Sequence, residues 1–507
     1  MSTALTASSP RPSLPYTNED LSSPEGLLHA LLHLRQTVIR EGDEIYRLWQ
    51  SRIRRASFLA SSRNLAHYLV LRRHDLRTLQ TALMPWGLSS LGRIESRVLN
   101  QLDAAIATLG KLCHITAEPL PQRPELSAFF EGERLLQHHA DELFGSLYGT
   151  RRVRMMVTLP SEAASNVEFV RDLLARGMDC ARINCAHDTV ADWEAMIGNI
   201  RKAEVDTGRR CKILMDLGGP KPRLKMASAL TPVRVKVGDR LLLTRNVPEP
   251  GMYVAARCSI PEILDRVRVD ERIWIDDGSI GTRVEAIAPE GVLLQVTHAS
   301  TKGSKVRSDK GLNFPDSNLD LTPLTPKDLQ DLDFVVGHAD IIGYSFVQTA
   351  ADIELLQREI GARLRGDSEL PAIVAKIETP KAIKNLPELI VQAAGVQPLG
   401  IMIARGDLAV EIGYERLAEI QEEILWLCEA SHIPVIWATQ VLERLVKKGI
   451  PSRAEITDAA MAERAECVML NKGRYIANAV TILDDVLTRM QTHQLKKTPQ
   501  LRALRSW

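Results

Sequence analysis

Eight short apolar runs, nearly all separated by stretches of helical periodicity, leave this chain few architectures from residue 153 onward. The runs span 153–159, 180–185, 211–217, 339–346, 371–378, 400–408, 434–440 and 466–470. Runs of this length, apolar on both faces and bounded by Gly or Pro, read as buried parallel strands. Helical patterns such as 167–176 and 189–205 lie between them, and the alternation predicts a (β/α)8 TIM barrel. One connection differs. About a hundred residues rich in Val, Gly, Pro and Asp separate the third and fourth runs, far more than a loop requires. Runs at 240–243, 272–275 and 292–296 read as strands. The segment is expected to be an inserted, β-barrel-like domain on the catalytic face, placed to act as a lid.

The chain has 507 residues, too many for one core. Residues 1–148 are expected to form an all-α domain, with 1–20 disordered. Leu27, Leu28, Leu31, Leu32 and Leu34 begin one apolar stripe; Leu65, Tyr68, Leu69, Leu76, Leu79 and Leu83 follow helical spacing further on. A Gly- and Ser-containing break at 87–92 offers a serine N-cap. The barrel is assigned to 149–225 and 317–491, the insert to 226–316, and 492–507 to a basic, solvated tail.

Net charge is +1, with both signs spread along the chain, which argues against a nucleic-acid partner. No run is long and apolar enough to span a membrane, and the Ser-, Thr- and Pro-rich start is no secretory signal. Seven cysteines without a C-x-x-C pair read as small core residues in a reducing compartment. A cytoplasmic location is the expectation.

Chemistry concentrates in two runs that end abruptly in charge, Ala375-Lys376-Ile377-Glu378 and Ile403-Ala404-Arg405-Gly406-Asp407. Charges at the C-terminal ends of barrel strands face the mouth where barrel enzymes keep their chemistry. One cation and two carboxylates suit a hard divalent metal and an anionic substrate.

Over residues 152–490 the chain resembles pyruvate kinases. The resemblance rests on Ala181-Arg182-Ile183-Asn184, Met215-Asp216-Leu217-Gly218-Gly219-Pro220, Ile275-Asp276-Asp277-Gly278, Lys310-Gly311-Leu312-Asn313, the two runs above and Ala438-Thr439-Gln440. It implies phosphoryl transfer from phosphoenolpyruvate to ADP, giving pyruvate and ATP. By resemblance, Glu378 and Asp407 hold Mg2+ (or Mn2+), and Lys376 and Arg182 offset charge on the transferred group. Arg182, Arg223, Ala404, Arg405, Gly406, Asp407 and Thr439 are expected to bind substrate. Thr439 lies beside the carbon that is protonated. Asn184, Lys310 and Thr158 are the nucleotide candidates. A homo-oligomer, formed through the barrel or the N-terminal domain, is expected.

Most members of that family need K+. Asn184, Asp216 and the Leu217 carbonyl match its ligands, but Ala186 stands where a serine is usual. Lys221 stands where K+-dependent members have glutamate. An ammonium there would supply the charge that K+ brings, so K+ independence is expected. Other departures concern the loops. Val157-Thr158-Leu159-Pro160 replaces Thr-Ile-Gly-Pro, and Asn471-Lys472-Gly473-Arg474 replaces Ser-Gly-Glu-Thr. No counterpart of the family's C-terminal regulatory domain follows the barrel, so regulation through it is not expected. His187 and His432 read as structural. Two rival readings stand beside the transferase. One is a metal-dependent enolate lyase or aldolase, disfavoured by the insert and Lys310. The other is a catalytically weak sensor or scaffold, favoured by the altered loops and opposed by intact Lys376, Glu378 and Asp407.

Overall fold

The computed structural model describes residues 16–89, 91–115, 120–226, 233–246, 253–364, 366 and 369–500. Its centre is a closed, all-parallel barrel. The barrel strands are β1 (Arg154–Thr158), β2 (Cys180–Asn184), β3 (Lys212–Asp216), β4 (Ile341–Tyr344), β5 (Ala372–Ile377), β6 (Leu399–Ala404), β7 (Val435–Ala438) and β8 (Cys467–Leu470). β1 closes the ring by pairing with both β2 and β8. Nearly every strand residue is buried, as expected where helices cover one face and packed side chains fill the other.

The run read as 400–408 is a strand only to Ala404. Arg405 opens a helix, Arg405–Ile412, with Leu408, Ala409 and Val410 buried in succession. The period therefore changes from two to 3.6 before Asp407. Capping boxes at Thr189, Thr325, Thr349 and Ser452 start four of the outer helices, each satisfying otherwise orphaned backbone N–H groups.

Between β3 and β4 a seven-stranded sheet forms. Its order is Leu312–Asn313, Arg272–Ile275, Ile280–Ala288, Gly291–His298, Arg240–Thr244, Val254–Cys258, Leu224–Lys225. It has its own core, including Leu224, Leu241, Leu243, Ile275, Val284 and Leu294.

The N-terminal helices are α1 (Pro24–Trp49), α2 (Leu59–Leu71), α3 (Arg77–Leu83), α4 (Val98–Leu112), α5 (Leu126–Phe129) and α6 (Glu131–Phe144). Ser23 caps α1 by accepting from Gly26 N. At α4 the serine cap expected from 87–92 is not what the structure uses; Asn64 Oδ1 accepts from Val98 N at 3.0 Å instead, and Ser90 lies outside the described residues. Of residues 1–20, expected to be disordered, 1–15 also lie outside them, while Asp20–Ser22 forms a short 3-10 turn with Leu21 buried.

These helices are fused to the barrel rather than tethered to it. Leu143 and Phe144, at the end of α6, share a core with Met156, Leu214, Val374, Met402 and Ile436 inside the barrel. They plug its N-terminal end. A Cβ on Gly400 would stand 2.5 Å from Leu143 Cδ2, so β6 takes glycine where the plug enters. His432 is fully enclosed at the same junction, with Nδ1 2.9 Å from Ser61 Oγ and Nε2 3.0 Å from Ser96 O.

The basic tail departs from expectation. Gln494–Leu495 and Thr498–Pro499 form a hairpin, and Lys496 and Lys497 pair with Glu466 and Glu95. Both carboxylates are largely withdrawn from water, and a buried carboxylate without a cation is costly. Residues 501–507 lie outside the described residues. All seven cysteines are free and, apart from half-buried Cys113, buried. Among the described residues, no helix is long and apolar enough to cross a membrane.

Candidate active site

The charged groups meet at the C-terminal mouth of the barrel. Lys376, on β5, donates to Ser345 Oγ at 2.6 Å. Its ammonium lies 3.3 Å from Glu378 Oε1 and 3.5 Å from Asp216 Oδ2. Ser345 in turn donates to Leu217 O at 2.8 Å, so the backbone after β3 fixes the serine that fixes the lysine. Glu378 Oε2 accepts from Phe346 N at 2.6 Å. Arg182, on β2, forks onto Asp216 Oδ2, with Nε at 2.9 Å. Its third nitrogen, Nη1, donates to Thr158 Oγ1 at 3.0 Å. A Cβ on Gly343 would lie 2.6 Å from Asp216 Oδ1, so β4 admits this carboxylate only because it carries glycine there.

Lys221 Nζ reaches Asp407 Oδ1 at 2.6 Å and Asp277 Oδ1, in the insert, at 3.5 Å. A Cβ on Gly311 would meet the Lys221 Cε at 2.5 Å, so the insert closes over that side chain. Asn313 donates to Asp407 Oδ1 at 3.3 Å and to Glu411 Oε1 at 3.0 Å. The lid is thus tied to the metal candidate through two residues.

Burial raises the Glu378 carboxyl above its ordinary range, against the opposing pull of Lys376. Burial pushes Asp407 the same way, but Lys221, Asn313 and Lys376 together hold it below. Asp216 is likewise held low by Lys376 and Arg182 despite burial. Lys376 and Lys221 are both raised, because neighbouring carboxylates outweigh desolvation. Three cations (Arg182, Lys221, Lys376) therefore face three carboxylates (Asp216, Glu378, Asp407). A phosphoryl group brings about 1.5 to 2 further negative charges, which this balanced set leaves unmatched. Among the described residues, no group of three or more His, Cys, Asp or Glu side chains could hold a metal by itself. Two hard oxygen donors beside a place for substrate phosphate are nevertheless what Mg2+ takes, and the residues fit that ion.

Other expected residues lie at this mouth with partners of their own. Thr439, after β7, has φ +64, an uncommon conformation for a β-branched residue. Its Oγ1 accepts from Gly406 N at 2.8 Å. Ala404 ends β6 and is the N-cap of the following helix. Arg405 does not project into the mouth. It pairs with Asp458 and donates to Ala438 O at 3.0 Å and Thr439 O at 2.7 Å; it positions the β7 loop. Asn184 Oδ1 accepts from Ala186 N in its own turn. No hydrogen bond or ion pair joins Lys221 to Asn184 or Asp216, because Lys221 is drawn to Asp407. Arg223 donates to Asp309 O at 2.9 Å, and Lys310 lies 2.8 Å from Asp276 Oδ1, both against the insert. Exposed His187 has its imidazole lowered by partial burial and by Lys472, Arg223 and Arg182, which marks an electropositive rim.

Sequence reasoning missed Ser345, Asn313, Asp277 and Glu411 as participants. Asn313 and Asp277 lay inside segments already singled out. Glu411 stands four residues after Asp407, on the same helix face, and burial pushes its carboxyl up to about 7. Ser345 had no signal beyond ending an apolar run.

Known proteins match the chain over its barrel. A family model described as pyruvate kinase, barrel domain, matches residues 150–480. The pyruvate kinase of Mycobacterium intracellulare is 31% identical over 360 residues, covering 69% of this chain and 72% of that protein. That of Encephalitozoon cuniculi is 32% identical over 311 residues, covering 61% and 67%. The crystal structure of a pyruvate kinase from Cryptosporidium parvum aligns with a TM-score of 0.61 at 28% identity, covering 69% of this chain and 72% of that one. On barrel, insert and sequence together, the chain belongs to the pyruvate kinase family.

Proposed function

We propose that this chain transfers a phosphoryl group from phosphoenolpyruvate to ADP, giving pyruvate and ATP. The observation that carries the reading is the Lys376 ammonium, held between Asp216 and Glu378 at the barrel mouth. In the transfer an ADP phosphate oxygen attacks phosphorus. The bond from phosphorus to the enol oxygen breaks, and its electron pair stays on that oxygen. The methylene carbon then takes a proton. Fixed cations stabilise such charge without reorganising during the reaction. Lys376 and Arg182 are both locked by carboxylates and do this here. Mg2+ or Mn2+, held by Glu378 and Asp407, would supply the remaining positive charge to the substrate oxygens. Because Thr439 Oγ1 accepts from Gly406 N, its own proton is left to donate, directly or through water, to the enolate carbon.

Lys221 supports K+ independence in this reading: an ammonium beside Asp407 and Asp277 already brings monovalent positive charge to the site. Arg223 at the electropositive rim, and Lys310 and Asn184, are kept for phosphate and nucleotide contact. Thr158 is left out, since it is buried beneath Arg182. A cytoplasmic homo-oligomer is part of the same proposal. The experiment is pyruvate formation from phosphoenolpyruvate and ADP with Mg2+, for wild type and Lys376→Met. Turnover lost in the variant supports phosphoryl transfer. Absent turnover in wild type, with phosphoenolpyruvate still bound, overturns it in favour of a binding protein on this fold.

A further inference from the structure

A second concentration of charge lies at the opposite end of the barrel. A cavity of about 200 Å3 opens where α4 and α6, the starts of β1 and β8, and the C-terminal hairpin converge. Its wall carries seven cations and four carboxylates, and three carboxylates just behind it bring the two signs level. Glu95, Asp141 and Glu422, which pair with Lys497, Arg154 and Arg464, are not among the lining residues. Arg97 is fixed by Glu133 and by stacking over Phe129 and Phe130, at 4.7 and 5.0 Å from the ring centroids.

These pairings leave donors over. Among the described residues, the buried Nε–H groups of Arg97, Arg154 and Arg464 have no hydrogen-bond partner, nor do Ser96 Oγ and the wall oxygen Glu463 Oε2. Arg154 is 1% exposed and Arg464 9%, so bulk water does not relieve them. Buried polar groups without partners are rare, and several around one cavity call for a ligand. Exposed Arg93 adds a cation with no carboxylate against it. Burial also pushes the Glu463 carboxyl up to about 7 and raises Glu429.

We propose that this cavity binds a small oxyanion bearing phosphoryl or carboxylate groups, held by Arg93, Arg97, Arg154 and Arg464 where the N-terminal helices meet the barrel floor. A guanidinium N–H makes a charge-assisted hydrogen bond to such an anion, and the volume suits a ligand far smaller than a nucleotide. Arg154 begins β1 and Glu466 immediately precedes β8, so the site lies across the barrel from Lys376. Occupation would bind hairpin, helices and barrel together without entering the catalytic mouth.

The test is calorimetric titration of the full chain with inorganic phosphate, pyrophosphate and citrate. It is run on wild type, Arg93→Ala and Arg464→Gln, with hydrogen exchange of the hairpin peptides as a local readout. The expected result is binding of at least one probe by wild type, with slower exchange over 494–499. Each variant should bind it about tenfold or more weakly, the loss of one charge-assisted hydrogen bond or ion pair. Arg93 is exposed and its variant keeps the fold, so the comparison stands even if Arg464→Gln unfolds. Preference for pyrophosphate over citrate, or the reverse, names the oxyanion class. No binding of any probe by wild type overturns the proposal. Equal affinity in wild type and Arg93→Ala, with unchanged hairpin exchange, overturns it too, because the anion would then sit elsewhere.

Discussion

Lys221 Nζ stands 2.6 Å from Asp407 Oδ1, so an ammonium from the loop after β3 rests on one of the two carboxylates that fit a divalent metal. The contact predicts how the proposed turnover responds to monovalent cations. Wild-type turnover should be the same in K+ and in tetramethylammonium buffers. Lys221→Glu should lose about tenfold or more in tetramethylammonium, equivalent to about 1.4 kcal/mol, and regain part of the loss in K+. A strong K+ requirement in wild type would sink this assignment.

Lys376→Met removes the cation that both Asp216 and Glu378 face. The expected loss in kcat is on the order of 100- to 1,000-fold, with a far smaller change in KM. Stopped or coupled assays of pyruvate release measure it. An unchanged kcat would remove Lys376 from the mechanism.

Thr439→Val keeps shape and takes away the hydroxyl. Gly406 N–H then loses its acceptor, destabilising the fold by about 1–3 kcal/mol. The protonation step should slow by about 100-fold. Exchange of pyruvate methyl hydrogens in deuterated water, followed by NMR, reports that step apart from phosphoryl transfer. Exchange at the wild-type rate would contradict the role.

Burial holds the His432 imidazole down at about 4, against an ordinary 6.5. Burial lowers His139, whose Nδ1–H donates to His432 O at the same junction, as well. The folded chain therefore binds fewer protons than the unfolded one between these values. The contribution is fully present above pH 6.5 and is lost as pH falls through about 4. From His432 it amounts to about 3 kcal/mol at most. Urea unfolding across this window should show stability falling with acid, and His432→Gln should flatten the slope.

Leu143→Ala opens a void under the barrel. It should cost about 2–5 kcal/mol, read as a lower urea midpoint with an unchanged slope. A variant as stable as wild type would show that the plug contributes nothing.

Much of this molecule could be read before it was seen. The barrel was legible because its strands are apolar on both faces, a pattern that survives in sequence without knowledge of neighbours. Lys376, Glu378 and Asp407 were legible because charge interrupts that pattern at its C-terminal edge. The destination of Lys221 was not. Whether it faces Asn184 and Asp216 or Asp407 depends on how the insert folds back over Gly311, a contact nearly a hundred residues away in sequence. The partner of Arg405 was not legible for a related reason: its guanidinium pairs with Asp458 from another helix. The tail misled because Lys496 and Lys497 look like any solvated basic end until the buried Glu95 and Glu466 are known.

The plug formed by Leu143 and Phe144 makes any change on one side of the seam between the N-terminal helices and the barrel a change on the other. Gly400 and Leu143 share one volume, so a larger residue at 400 is tolerable only with a smaller one at 143. Such a pair drifts in step or not at all. A barrel borrowed from a relative without its own matching stopper would arrive with an open floor.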